Sequence, residues 1–482
     1  MSASPFDEIP AISSFQDATN DWRRQPGVLD RDMPQRPPPR PTGLAQPVGV
    51  RYNPLSPGTY HRMIATNGWS KASWARSRHG EAVTEADEPE RETVNGWRSI
   101  AMTVNTVEAQ IDEFLERSRA LTGQEVRERE AWHTDVSRDA IRHYAFGTSD
   151  GNPLWLDPRY AAETTYGKLV APPGFLTSVL YPILHGAPMV APLSSLIGGV
   201  EYEWVKPILE GDTLRASTKQ ADLYEKKSGS GRRLIFVISE ATYWNQRDAV
   251  VGKATGTMIR ATQVGTELLF DRPIHRYSEV ELEKIREAIK GEVRSGARSP
   301  VWEDVQVGQE IPPIVRGPLT IGDMVCWQAA IGPSYRAGGL GYLDVVKAPH
   351  TAVKNPITGW PVKYSQQHED FHLAAQRGMP GPFDNGVMRF AWVCPLLTNW
   401  MGDAGFLKRL YVQVRTPAIY GDTTWYQGTV TDKAEGGVVK LRITGINQVG
   451  ITTTTGEAEV VLPTRNVERA RADAHDTVAR AS

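Results

Sequence analysis

The sequence predicts an α+β fold made of two similar units, each a long antiparallel sheet wrapped around one central helix. The chain has 482 residues, which exceeds what one hydrophobic core usually organises. Landmark residues recur in the same order in two segments of similar length. In both segments "GDT" is followed by stretches rich in β-branched and aromatic residues, which favour strands. A sheet that is apolar on one face must be covered, and one long helix per unit would cover it.

Composition narrows the class of protein. Hydrophobic residues make up 40%, charged residues 23% and the formal net charge is -2, so we expect neither nucleic acid nor a membrane as partner. Cys326 and Cys394 stand in apolar contexts that predict buried thiols in a reducing cytoplasm. The first thirty residues carry acids and no apolar core, which argues against a secretory signal. Prolines interrupt the longest apolar run, residues 174–200, which therefore predicts a buried helix plus loop.

Two segments outside the repeat set the domain boundaries. Residues 33–43 read "MPQRPPPRPTG" and predict an extended arm. Near the middle, Ser278 and Glu281 form the pattern of a capping box before apolar residues at helical spacing, which predicts a linker helix. The predicted parts are an arm at 1–99, a first unit at 100–270, a linker at 271–299, a second unit at 300–466 and a tail at 467–482.

The repeat can be followed residue by residue. "WLDPRYAA" in the first unit corresponds to "HEDFHLAA" in the second, and each is followed at nearly the same distance by a glycine that opens an apolar helix. Further on, "KPILEGDT" corresponds to "TPAIYGDT". The matched pairs are Trp155 with His368, Asp157 with Asp370, Ala161 with Ala374, Gly174 with Gly386 and Gly211 with Gly421.

These letters carry a family resemblance. "FGTSDGNPLWLDPRYA", followed by "APPGFL" and "KPILEGDT", resembles the MaoC-like dehydratases of the R-specific enoyl-CoA hydratase superfamily, specifically the tandem FAS1-like dehydratases. The resemblance covers roughly residues 100 to 465. It implies a double hot-dog fold, addition or removal of water across the α,β double bond of an acyl-CoA thioester, and no cofactor. It also implies a homo-oligomer, a dimer of double hot-dogs.

The family motif is an aspartate, then Asn-Pro, and a histidine five residues after the aspartate. In the first unit Asp150 and Asn152 match the motif, but Trp155 stands at the histidine position. In the second unit His368 fills the histidine position, but Lys363 stands where the aspartate belongs. Neither unit therefore retains the whole pair.

The chemistry explains why these residue types matter. Hydration needs a group that takes a proton from water, and histidine titrates near neutral pH. The thioester oxygen gathers charge as the enolate forms, and a backbone N–H at a helix N-terminus stabilises it. The resemblance assigns that donor to Gly386, or to Gly174 in the first unit. We therefore predict that His368 is catalytic and that Trp155 fills a pocket or an interface of a degenerate first unit.

The acid that partners His368 stays open. The segment "LTIGDMVCWQAAIG" matches "VSRDAIRHYAFG" of the first unit, yet His368 follows much later than Trp155 does, so an insertion intervenes. Asp344 is the only Asp or Glu between Gly332 and His368, and the glycine-rich "RAGGLGYLD" around it predicts a lid loop. Asp150 is the other candidate, although pseudo-symmetric units would hold it far from His368.

Other interpretations of these residues and of the function compete. "HEDFH" satisfies the zinc-protease pattern H-E-x-x-H, but no third ligand is evident and the repeat accounts for the motif, so we expect no metal. Arg389 and Arg415 are candidates for binding coenzyme A phosphates. The chain could also be a non-catalytic acyl-binding partner subunit of an active hydratase, or a hot-dog thioesterase.

Overall fold

A ten-stranded antiparallel sheet dominates the computed structural model, which describes residues 104–126, 132–188, 193–228, 231–262, 272–332 and 336–466. The predicted arm at 1–99 and the tail at 467–482 lie outside the described residues. The strands are β1 Glu125–Val126, β2 Leu193–Trp204, β3 Leu214–Lys227, β4 Arg233–Asn245, β5 Val250–Thr262, β6 Glu310–Arg316, β7 Ala352–Lys354, β8 Pro361–Lys363, β9 Phe406–Val414, β10 Thr424–Ala434, β11 Val438–Asn447 and β12 Thr452–Val461.

The helices lie mostly between these strands. They are α1 Val104–Arg119, α2 Arg138–Gly147, α3 Pro153–Leu156, α4 Pro158–Glu163, α5 Leu176–Val179, α6 Glu279–Lys290, α7 Ile321–Ile331, α8 Gly338–Lys347, α9 Phe371–Gln376 and α10 Gly386–Met401, with 3-10 turns at Pro173–Phe175, Trp302–Asp304, Pro349–Thr351 and Tyr364–His368. Among the described residues, no helix has the length and apolar character that a membrane span requires.

The strand order confirms the predicted tandem fold. The strand order is β1-β3-β4-β5-β2-β9-β12-β11-β10-β6. Counted from the centre to either edge, the two halves have the same topology. Strands β2 and β9 join the halves, with Val200 opposite Val412 and Tyr202 opposite Leu410. The predicted double hot-dog is therefore one continuous sheet, and β7 and β8 form a separate hairpin.

The "GDT" turns adopt the same conformation in both units. Gly211 has φ 92° and Gly421 has φ 84°, values that favour glycine. The aspartate after each glycine closes the turn, because Asp212 accepts the backbone N–H of Leu209 and Asp422 accepts that of Ile419, both at 3.0 Å. The turns lie between β2 and β3 in the first unit and between β9 and β10 in the second.

The central helices differ, and here the expectation of one long helix per unit is wrong. Helix α10 has 16 residues and is almost wholly buried against the sheet. In the first unit, α5 has only 4 residues, and Leu180 already has the extended backbone of φ −150°. Pro182 accounts for the early end, because a proline offers no N–H to a helix and disfavours helical backbone in the residue before it.

Helices α2 and α7 occupy equivalent places in the two units and pack against each other. Each is capped by a hydroxyl at its N-terminus, from Ser137 and Thr320. The contact is close at Gly147, where a Cβ would lie 2.3 Å from the Cβ of Ala330. Cys394 is buried as expected, but Cys326 is exposed because it lies on the face of α7 opposite the buried Met324, Trp327 and Ile331.

The predicted linker helix is α6. Ser278 accepts the backbone N–H of Glu281, and the Glu281 carboxylate accepts the N–H of Ser278, which completes the capping box. Ile285 is the buried residue of this helix, whereas Ile289 is exposed.

Candidate active site

Two aspartates make the same hydrogen bonds in the two units, which supports the residue-by-residue match of the motif segments. The Oδ1 of Asp157 accepts the backbone N–H groups two and three residues later, at 2.9 and 3.4 Å, and so caps α4. The Oδ1 of Asp370 accepts the N–H groups at the same two offsets, at 2.8 and 3.1 Å, and caps α9. Ala161 and Ala374 are both fully buried. Trp155 and His368, each two residues before its aspartate, therefore occupy equivalent positions.

His368 lies at the end of a 3-10 turn and is held by the backbone of Phe383. Its Nδ1 lies 2.8 Å from the Phe383 carbonyl oxygen, and the two rings meet edge to face at 4.6 Å. A carbonyl oxygen only accepts, so the neutral imidazole carries its proton on Nδ1 and keeps the Nε2 lone pair. Burial lowers the pKa of His368, which the Phe383 carbonyl and the nearby Asp384 partly oppose. The ring is therefore suited to act as a base.

Gly386 begins α10 three residues after Phe383. Its N–H stands at the first helical position, where an N–H has no acceptor within the helix. Asn385 caps the helix by accepting the N–H of Val387 at 3.3 Å, and Tyr181 donates to the same Asn385 oxygen at 2.5 Å. A Cβ at Gly386 would lie 2.7 Å from the Cβ of Ile197, so a larger residue would push β2 away. The positive end of the α10 dipole thus lies in the same segment that holds His368.

The backbone register corrects the predicted match between Gly174 and Gly386. The N–H of Ala171 bonds the Ile208 carbonyl at 2.8 Å, and the N–H of Asp384 makes the equivalent bond to Ala418 at 2.8 Å. Two residues after each of these amides stand Pro173 and Gly386. Because proline has no N–H, the first unit lacks the backbone donor at this position.

The space around Trp155 and Gly174 is filled. Trp155 is 3% exposed and lines an apolar cavity of only about 50 Å³, together with Trp204. A Cβ at Gly174 would lie 2.4 Å from the Tyr144 hydroxyl. Burial raises the pKa of the Cys394 thiol, and the Gly174 N–H opposes that shift, so this amide faces the sulfur of α10. The position of Trp155 agrees with the prediction that it fills a pocket.

Asp150 and Asn152 form a turn. Asp150 accepts the backbone N–H of Asn152 at 3.2 Å, and Asn152 accepts that of Leu154 at 2.9 Å as the N-cap of α3. Asp150 also lines a cleft of about 530 Å³, beside Arg316 and Arg294. Burial raises the pKa of Asp150, which the Trp155 side chain and then the Asn152 N–H oppose.

Asp344 lies in helix α8, which corrects the expectation of a lid loop. Its carboxylate is 3.1 Å from the Lys363 ammonium and 3.9 Å from the Arg336 guanidinium. The hydrogen bond from Lys363 holds the pKa of Asp344 below its usual range. Since Lys363 stands five residues before His368, as Asp150 does before Trp155, Asp344 neutralises the residue that replaces the motif aspartate.

Different residues act on Asp150 and on His368. The groups that shift the pKa of Asp150 are Trp155, Asn152, Arg316 and Arg294, and His368 is not among them. Sequence reasoning missed the residues that do surround His368, namely Phe383, Asp384, Arg377 and Tyr364. The sequence feature that could have pointed to Phe383 and Asp384 is the segment "PFDNG", whose glycine begins α10.

Arg389 is corrected as a candidate for phosphate binding. It is fully buried in α10, where it pairs with Asp384 at 2.6 Å. It also donates to the carbonyl oxygens of Thr416 and Thr453, both at 2.7 Å. These bonds tie α10 to the strands around it and leave the side chain inside the core.

The zinc-protease pattern does not form the helix that its chemistry needs. His368 ends a 3-10 turn, Asp370 is extended with φ −120°, and α9 begins only at Phe371. The two histidines therefore do not share one helical face. Within the part of the chain that the structure describes, no three His, Cys, Asp or Glu side chains are grouped so that they could hold a metal ion.

Comparisons with known proteins agree with the fold and the motif. The family model described as the FAS1-like dehydratase domain region matches residues 120–254. A UPF0336 protein of Thermobifida fusca is 30% identical over 112 residues, which is 22% of this chain and 71% of that protein. A UPF0336 protein of Streptomyces avermitilis is 25% identical over 136 residues, 27% of this chain and 88% of that protein. A solved structure of a MaoC-like dehydratase covers 72% of this chain and 100% of its own, with a TM-score of 0.51 and 18% identity.

The fold and the motif together define a double hot-dog protein of the hydratase and dehydratase class. More narrowly, the chain belongs to the FAS1-like dehydratase family.

Proposed function

We propose that the chain is an acyl-thioester hydratase or dehydratase that acts on an enoyl-CoA or on the 3-hydroxyacyl form, with His368 as the catalytic base. One observation carries the proposal. The Phe383 carbonyl fixes Nδ1 of His368 as the protonated nitrogen, so Nε2 has a free lone pair close to the N-terminus of α10. This places a base and a backbone donor in one segment, as hydration of a thioester requires.

The reaction follows from these two groups. Nε2 of His368 takes a proton from water, whose oxygen bonds to the β-carbon of the enoyl group. The charge that moves to the thioester oxygen is stabilised by the Gly386 N–H and the α10 dipole. The imidazolium then returns the proton to the α-carbon, so one water is added in total. Dehydration is the same sequence in reverse.

The other predicted site residues have supporting parts in this proposal. Asp344 holds Lys363 beside the turn that carries His368, and is therefore a positioning residue. Asp150, Asn152 and Gly174 belong to a first unit that supports α10 without turning over substrate. The coenzyme A carrier and the dimer of double hot-dogs are parts of the same proposal and are drawn from the family resemblance. The cytoplasmic location is also part of it and is drawn from the two cysteines.

A partner subunit is the second candidate function. It is favoured by one observation, that Trp155 and Lys363 each interrupt the Asp–His pair in their unit. Under this alternative the chain would shape an acyl pocket for an active homologue and would show no turnover by itself.

Absorbance of enoyl-CoA thioesters decides between these functions. Hydration removes the conjugated ultraviolet band, whereas a thioesterase would release a free thiol. We expect loss of the band with wild-type protein, and a loss of about a hundred- to ten-thousand-fold in kcat/KM in His368→Ala. His372→Ala is the matched control, because His372 is exposed on α9 and should retain activity.

Two outcomes would contradict the proposal. Activity of His368→Ala within about threefold of wild type would remove His368 as the base. Absence of both signals with pure wild-type protein, and their appearance on addition of a homologous hydratase, would establish the partner subunit.

A further inference from the structure

A buried arginine near the proposed site has no acidic partner. Arg260, near the end of β5, is 7% exposed. Its Nη1 donates to the Ser195 hydroxyl on the neighbouring strand, and its Nε has no hydrogen-bond acceptor. Among the described residues, Arg260 forms no ion pair. A guanidinium buried in this way is costly unless an anion compensates it.

The strand register brings Arg260 close to the start of α10. Arg260 lies directly opposite Ser195 in the β2–β5 pair. Ser195 and Ile197 are two residues apart on β2 and share one face of the sheet, about 7 Å apart. Ile197 is the residue whose side chain lies against Gly386. Arg260 is thus on the face of the sheet where α10 begins.

A second cation approaches from the other unit. Arg377 follows α9, and its guanidinium carbon lies 6.0 Å from the ring centre of Tyr364, which is in the turn that ends at His368. Burial lowers the pKa of Arg260, and the charge of Arg377 lowers it further, while Tyr364 opposes the shift. The two guanidinium groups therefore lie close enough to repel each other.

We propose that Arg260 and Arg377 bind a carboxylate at the far end of the substrate's acyl chain, so that the substrates are thioesters of short dicarboxylic acids. This rests on the proposed function, because Gly386 must hold the thioester oxygen. A guanidinium binds a carboxylate through two parallel hydrogen bonds, and Arg260 has its Nε free for one of them. The burial of Arg260 favours the acyl end over the phosphates of coenzyme A, which need a solvated surface.

Binding and turnover test this inference separately. Calorimetry with saturated thioesters compares adipyl-CoA with hexanoyl-CoA, which has the same number of carbons but no distal carboxylate. We expect wild-type protein to bind adipyl-CoA at least about tenfold more tightly, since a buried charge pair contributes at least that much. Because these ligands do not react, the result holds even if no hydration is found. Turnover of 2-hexenedioyl-CoA against 2-hexenoyl-CoA should show the same preference.

Substitutions test whether Arg260 causes the preference for adipyl-CoA. Arg260→Gln should abolish the preference for adipyl-CoA and leave hexanoyl-CoA binding within about threefold, and Arg260→Lys should retain part of it. Arg215→Gln, which removes an exposed arginine paired with Asp248, is the matched control and should change neither.

The inference would be overturned by equal affinity of wild-type protein for the two thioesters, a comparison that needs no variant to fold. It would also be overturned if Arg260→Gln weakened coenzyme A alone as much as adipyl-CoA, since the anion would then be a phosphate of the carrier.

Discussion

The Nδ1 of His368 and the carbonyl oxygen of Phe383 are 2.8 Å apart, and this one hydrogen bond sets both the tautomer and the direction of the imidazole. Phe383 stands three residues before Gly386, so the same short segment orients the base and begins the helix whose N–H would hold the thioester oxygen. The first unit has no counterpart, because Trp155 replaces the histidine and Pro173 replaces the glycine.

Restoring the histidine should therefore not restore a second site. We expect Trp155→His in a His368→Ala background to remain as inactive as His368→Ala alone. The new imidazole would lie near Asp150, but Pro173 offers no N–H to the thioester oxygen and the Tyr144 hydroxyl fills the space at Gly174. Initial rates of enoyl-CoA hydration measure this. A recovery of more than about tenfold would show that the first unit keeps a working pocket.

The pH dependence should follow His368. Its pKa is lowered by burial, and catalysis needs the unprotonated ring. As pH falls through this pKa the ring takes up a proton and kcat/KM declines, so the acid limb should lie below the ordinary histidine value of about 6.5. This is tested by measuring kcat/KM between pH 4.5 and 8 at intervals of roughly half a pH unit. An acid limb centred above that value would contradict the assignment.

Comparison of two aspartates identifies the acid that supports His368. We expect Asp344→Asn to lower kcat/KM by about tenfold, because Lys363 loses its counter-charge beside the His368 turn. Asp344→Glu should restore most of the rate, and the acid limb of the pH profile should move in Asp344→Asn but not in Asp344→Glu. Asp150→Asn should stay within about threefold, since none of its neighbours is His368. A larger loss of kcat/KM in Asp150→Asn than in Asp344→Asn would instead assign the acid to Asp150.

The buried pair of Arg389 and Asp384 should matter for stability. Arg389→Met leaves the Asp384 carboxylate buried without its partner, and we expect the free energy of unfolding to fall by about 3–5 kcal/mol. The double variant Asp384→Asn with Arg389→Met should lose less than Arg389→Met alone. Denaturant unfolding measures both. Arg215→Met removes an exposed ion pair and should cost no more than about 1 kcal/mol.

Acid should destabilise the protein partly through His133. Burial, and then the charge of His143, lowers the pKa of His133 to about 4 from 6.5. Between these values the unfolded chain binds the proton and the folded chain does not, so the free energy of unfolding falls as pH decreases through this range. We expect the drop in Tm between about pH 7 and pH 5 to be smaller in His133→Phe than in wild type. His350→Phe, at an exposed position, is the control, and an unchanged drop in His133→Phe would reject this source.

Local pattern was enough to predict much of the fold. The matched "GDT" turns, the capping box at Ser278 and the caps at Asp157 and Asp370 depend on hydrogen bonds between residues two to four apart. Such bonds form wherever the letters occur in the right order. The equivalence of Trp155 and His368 could be predicted for the same reason.

Other features were decided only by the tertiary structure. The one-residue slip between Gly174 and Gly386 appears only in the pairing of Ala171 and Asp384 with their strands. The bond from Arg389 to the Thr453 carbonyl and the contact of Ile197 with Gly386 join residues from distant parts of the chain. Sequence alone determined which local structures this protein forms and which motif residues it has lost. Packing of the two units decided which side chains meet, because contacts between distant segments depend on register and burial that no local pattern contains.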